Sequence, residues 1–102
     1  MYFILHCHQC SCTVDLDLHS NKLSGTIPNA INLAENLALV DFSDNVFSGT
    51  IPEQMFDLGN LEFVYLQGNS LHGSIDSSSC FNKRIWSDCV AEVSCSCCTK
   101  CF

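Results

Sequence analysis

Apolar and polar positions alternate along three short stretches of this chain, around Leu16–Leu18, Val40–Phe42 and Val64–Leu66. That alternation has the period of a β-strand with one buried face. The three stretches are copies in register. Leu16, Val40 and Val64 stand 24 residues apart, and Leu18, Phe42 and Leu66 keep the same interval. So do Asn21, Asn45 and Asn69, then Leu23, Phe47 and Leu71, then Gly25, Gly49 and Gly73, and finally Ile27, Ile51 and Ile75. Gly-Thr-Ile-Pro recurs verbatim at Gly25–Pro28 and Gly49–Pro52. A fixed period of this length marks a stacked-repeat architecture, in which each unit buries its apolar face against the next. After each repeat's proline the chain turns outward, and Ile31 with Ala34, and Met55 with Leu58, predict short helical or 3₁₀ turns packing inward.

The run from Leu37 to Pro52, LALVDFSDNVFSGTIP, resembles the plant-type leucine-rich repeat, L-x-x-L-x-L-x-x-N-x-L-x-G-x-I-P. The resemblance extends from Thr13 to about Ile75. Thr13 stands where the first unit would have leucine and Asp76 where the third would have proline, so those two units are expected to be terminal. The resemblance implies an α/β-type leucine-rich repeat solenoid, right-handed, with a parallel β-sheet on its concave face. Short 3₁₀, helical or irregular segments are expected on the convex side, and a disulfide-rich C-terminal cap at the end. The division that follows is a Cys/His-rich segment over 1–12, either a partial cap or a truncated repeat; three repeats over 13–79; and the cap over 80–102. Parallel stacking of the strands leaves backbone groups unpaired where each strand turns. A buried amide both donates and accepts, so Asn21, Asn45 and Asn69 are expected to form an internal ladder. The tail WSDCVAEVSCSCCTKCF, from Trp86 to Phe102, is similar to the ends of plant-type repeat proteins from algae such as diatoms, which makes Phe102 the expected natural end and puts any missing part at the N-terminus.

Composition narrows the partners. Net charge is −7, from 4 Lys plus Arg against 11 Asp plus Glu. Such a surface repels phosphate backbones, so no nucleic acid is expected. The bases are segregated: up to Ser79 the only one is Lys22, whereas Lys83, Arg84 and Lys100 lie in the tail. A charge-steered partner of the repeat body should therefore be basic. The 9 cysteines fall at the two ends, with none between Thr13 and Ser79. Terminal clustering suits disulfide capping of a stack and an oxidising compartment, so an extracellular or cell-surface location is expected of the parent protein. Met1–Leu5 is too short for a signal-peptide core, and no stretch reaches the length of a membrane span.

On a concave face, as the resemblance implies for ligand binding, the outward positions are Asp15, Asp17 and His19; Leu39, Asp41, Ser43 and Asp44; and Phe63, Tyr65 and Gln67. Asp15/Leu39/Phe63 and Asp17/Asp41/Tyr65 stack as columns, so an acidic edge grades into an aromatic patch. Aromatic anchors beside charges suit protein recognition, and the expected partner is a protein or peptide with a basic and apolar surface. Two alternatives stand beside this reading. The chain is a structural or non-functional piece whose partner surface lies in absent repeats, or its cysteines hold a soft metal. The metal candidates are His6, Cys7, His8, Cys10 and Cys12 at one end, and Cys95, Cys97, Cys98 and Cys101 at the other, but neither set has the paired C-x₂-C spacing of a zinc finger. Asp17 and Asp41 could share a cation, although no loop spacing resembles a calcium site. Disulfides among Cys80, Cys89, Cys95, Cys97, Cys98 and Cys101 are the expectation instead, with 15 possible pairings. The odd total leaves a free thiol or an intermolecular bridge. Glycine-rich phosphate loops, nucleophile elbows and kinase signatures are all missing, so neither catalysis nor a cofactor is expected.

Overall fold

The computed structural model describes residues 2–8, 11–89 and 93–102. Two sheets enclose the core. The first runs in the order β1 (Tyr2–His8), β2 (Ser11–Asp17), β4 (Leu37–Asp41), β6 (Phe63–Tyr65), β8 (Arg84–Ser87) and β10 (Lys100–Cys101). The second holds β3 (Ser24–Thr26), β5 (Val46–Thr50), β7 (Ser70–Ile75) and β9 (Val93–Cys95). Among the described residues pairing is parallel except where β1 lies antiparallel to β2. Two 3₁₀ turns, Asn29–Leu33 and Glu53–Asp57, lie side by side on the connections between the sheets.

The repeat columns become packing columns. Leu16 pairs with Val40, Val40 with Val64, and Val64 with Ile85. Val40, Val64 and Ile85 are fully buried, each removing from water apolar surface that contributes about 1.5–3 kcal/mol. Phe42 and Phe47 meet edge to face with ring centroids 5.6 Å apart. Met55 and Leu58 pack inward from the second 3₁₀ turn. The first turn differs from its expectation: Ile31 is half-buried and Ala34 is exposed. Among the described residues no further turn packs against its far side, and an apolar groove of about 340 Å³ stays open between Leu16, Leu18, Ile27, Ile31, Phe42 and Phe47.

In the second sheet the glycines of the repeat, Gly25, Gly49 and Gly73, all take positive φ. Gly49 has φ +82°, and a Cβ there would come within 2.8 Å of Thr26 Cγ2 on the neighbouring strand. Any other residue would be strained at that φ, and its Cβ would press on the Thr26 methyl. The asparagine ladder lies between the two sheets. Asn45 is 8% exposed; its amide nitrogen donates to the carbonyls of Leu18 (2.8 Å), Phe42 (3.1 Å) and Ser43 (3.1 Å), while its oxygen accepts the Leu23 N–H at 3.1 Å. Asn69 repeats this, donating to Phe42, Leu66 and Gln67 and accepting from Phe47. Asn21 is exposed and, among the described residues, its amide bonds within its own turn, to Leu18 and His19. At the other end Asp88 closes the ladder, accepting the Gly68 N–H at 2.7 Å and the Asn69 N–H at 3.4 Å.

Both ends carry disulfides. Cys7 and Cys12 face each other across the β1–β2 hairpin and are bonded. In the tail, Cys80 bonds to Cys97, Cys89 to Cys101 and Cys95 to Cys98. All six tail cysteines are thus paired, in one of the 15 ways open to the sequence. The result is a leucine-rich repeat solenoid with a cysteine-rich cap, and that cap adds two strands of its own to the first sheet.

Candidate functional site

Strand register assembles the outward face of the first sheet into two rows. One runs Asp15, Leu39, Phe63, Arg84; the other runs Asp17, Asp41, Tyr65, Trp86, Lys100. Parallel in-register pairing forces this, since residues opposite one another point the same way. Asp15, Asp17, Leu39, Asp41, Phe63, Tyr65 and Trp86 are half-buried, while Arg84 and Lys100 are exposed. The rows pass from carboxylates through apolar rings to cations.

The rings are held in place. Tyr65 and Trp86 stack with centroids 4.4 Å apart and planes within 10°, and the Arg84 guanidinium lies 5.8 Å over the Phe63 ring. Lys100 Nζ sits 4.8 Å over Phe102. Arg84, Trp86 and Lys100 were not among the face positions expected from the sequence, which marked Arg84 and Lys100 only as bases of the tail. The segment around Ile85 falls 21 residues after Val64 rather than 24, so it drops out of the repeat period. The alternation Arg84–Ile85–Trp86, with one apolar side chain between two outward ones, was the available signal.

At the acidic end, His19 is exposed and its Nδ1 bonds to the Asp17 carboxylate, with Asp41 Oδ2 3.9 Å away. Asp17, through that hydrogen bond and through its charge, holds the imidazole above its ordinary 6.5, with Asp41 and Asp44 adding smaller attractions against a small opposing effect of burial. A raised folded-state value means that the attraction is fully present below pH 6.5 and fades as the pH climbs through the folded pKa. The His19 ring resonances should accordingly titrate above 6.5, and Asp17→Asn should return the midpoint toward it. A midpoint at or below 6.5 in the parent chain would show that the contact does not persist in solution.

Other expected positions take different parts. Ser43 is 5% exposed; its hydroxyl donates to Asp41 Oδ1 at 2.6 Å and its N–H to the same oxygen at 3.0 Å. It therefore orients Asp41 rather than facing a partner. Asp44 is exposed, in the left-handed turn after β4 with φ 56°. Gln67 is half-buried, with its Oε1 buried and unpaired among the described residues. Asp17, His19 and Asp41 bring ligand atoms within 4.8 Å of one another and could hold a metal ion. The tail cysteines, being disulfide-bonded, present no thiolate to a metal in this form. Of the N-terminal set, Cys7 and Cys12 are bonded to each other, and Cys10 and the side chains of His6 and His8 lie outside the described residues.

Among the described residues no helix is long and apolar enough to cross a membrane. Residues 12–33 match the family model of the Leucine Rich Repeat, a segment that contains most of β2, the first asparagine and the first Gly-Thr-Ile-Pro. No curated protein matches the chain significantly. The repeat is typically a non-catalytic, protein-binding module.

Proposed function

We propose that this chain is an extracytoplasmic, plant-type recognition module whose concave sheet binds a protein or peptide presenting a basic group beside apolar surface. The row Asp17–Asp41–Tyr65–Trp86 is the observation that carries this reading. Two carboxylates adjoin two stacked rings on a rigid parallel sheet, and rigid aromatic area next to complementary charge favours tight protein contact. The four disulfides support an oxidising compartment.

Once a partner complex is in hand, its kinetics test the assignment. Tyr65→Ala should weaken binding by more than about 1 kcal/mol, chiefly by raising the off-rate. Asp17→Asn with Asp41→Asn should lower the on-rate and flatten its salt dependence. Glu53→Gln, on the exposed convex turn, should change neither rate. A complex disrupted by Glu53→Gln but indifferent to Tyr65→Ala would place the interface elsewhere.

A further inference from the structure

We infer that the partner segment is an extended peptide crossing the strands and carrying both charges, in the order basic–x–apolar–x–acidic. This rests on the recognition face proposed above and adds the far end of it, which only the folded chain brings into place. The longer row ends in Lys100, with Arg84 one strand away in the shorter row. Arg84 and Lys100 are both exposed, and the described contacts of their charged groups are with rings rather than carboxylates. Two cations at one end and Asp17 and Asp41 at the other make a face complementary to a doubly charged ligand, not to a purely basic one.

Strand spacing sets the ligand's spacing. Parallel neighbours lie about 4.8 Å apart, so the midpoint between Asp17 and Asp41 is about 14 Å from the midpoint between Arg84 and Lys100, three strand intervals away. An extended peptide advances about 3.3 Å per residue. Charges four residues apart are therefore separated by about 13 Å. Alternate side chains of an extended segment point the same way, so residues i, i+2 and i+4 all face the sheet. The middle one falls over Tyr65, at the edge of the stacked pair. One periodicity thus satisfies the acid end, the rings and the basic end together.

The test uses the oxidised chain and three capped peptides: Lys-Ser-Phe-Ser-Glu, the same residues scrambled as Phe-Ser-Lys-Glu-Ser, and Lys-Ser-Phe-Ser-Gln. The first should bind about fivefold more tightly than either of the others, as expected for an added exposed ion pair at full strength. Arg84→Gln with Lys100→Gln should reduce the first peptide's affinity to near that of the Gln peptide, so that the two changes are not additive. Equal affinity for the Glu and Gln peptides, with Tyr65→Ala still weakening both, would overturn the two-charge ligand and leave the recognition face standing. If no peptide binds, or Tyr65→Ala has no effect on binding, the recognition face falls with it.

Discussion

Reducing the three tail disulfides should collapse the C-terminal end of the solenoid and lower the melting temperature by more than about 15 °C. Cys80–Cys97 spans 17 residues, Cys89–Cys101 spans 12 and Cys95–Cys98 spans 3. Closing a loop of the first size restricts the unfolded chain by about 3 kcal/mol, and removing a native bridge from a small domain typically costs about 2–5 kcal/mol. A domain of this length has only about 5–15 kcal/mol in hand, and each kcal/mol moves its melting point by about 4–8 °C. The loops also overlap, so each bridge constrains the same segment and the losses compound. Cys80→Ser with Cys97→Ser should be the most damaging pair and Cys95→Ser with Cys98→Ser the least. A chelator should leave the melt unchanged. Indifference to reductant, with unfolding on chelation, would mean that these sulfurs hold a metal instead. Ligand binding should fail along with stability, because Cys89–Cys101 ties the end of β8 to β10 and so keeps Trp86 beside Lys100.

Asn45→Leu should cost about 3 kcal/mol or more. Leucine is close to asparagine in size, so packing is nearly kept and the loss is polar. The change strands the Leu23 N–H and removes a donor from the carbonyls of Leu18, Phe42 and Ser43. An orphaned buried group costs about 1–3 kcal/mol, and water can reach some of these four but not all, since Asn45 is buried. Asn21→Leu makes the comparison sharp. Its two bonds are local and exposed, and that variant should melt within a few degrees of the parent. Equal losses at the two positions in a urea or thermal melt would rule out a ladder graded by burial.

Much of this fold was legible because repetition writes the same physical demand several times. The inward column Leu16, Val40, Val64 could be read directly, and the asparagines marked where strands must turn. The second sheet was not legible. Its strands have few apolar side chains, and what builds it is the positive φ of glycine and main-chain pairing, neither of which leaves an alternating pattern. Ser43 was read as outward because it follows the strand's alternation past Asp41. The chain leaves the strand there for the left-handed turn at Asp44, and alternation ceases to predict direction. The basic end of the face was hidden for a related reason: a shortened interval puts Ile85 in the packing column without keeping the count. Cysteine positions gave the bridged ends but could not choose the pairing, which depends on distances that only folding creates.

Core burial is deepest in the middle of the stack and sparsest in the first unit. Among the described residues Ile27 is the one buried apolar side chain of the first unit, with Val14, Leu16, Leu18 and Ile31 half-buried against the core, whereas Leu37 to Leu58 supply eight buried ones and Leu61 to Ile75 five more, with Ile85 and Val93 beyond. A linear stack of this kind behaves as a chain of coupled units, each steadied mainly by its neighbours. The first unit has the fewest buried apolar residues to steady it, and what covers the edge of its strand in the first sheet is the β1 hairpin with its Cys7–Cys12 bridge. Asp15 and Asp17 lie on that unit, while Arg84, Trp86 and Lys100 lie in the tail that three disulfides tie together. A partner whose basic end closes over the first unit would add contacts where the core supplies fewest, so binding there would also raise the stability of the stack.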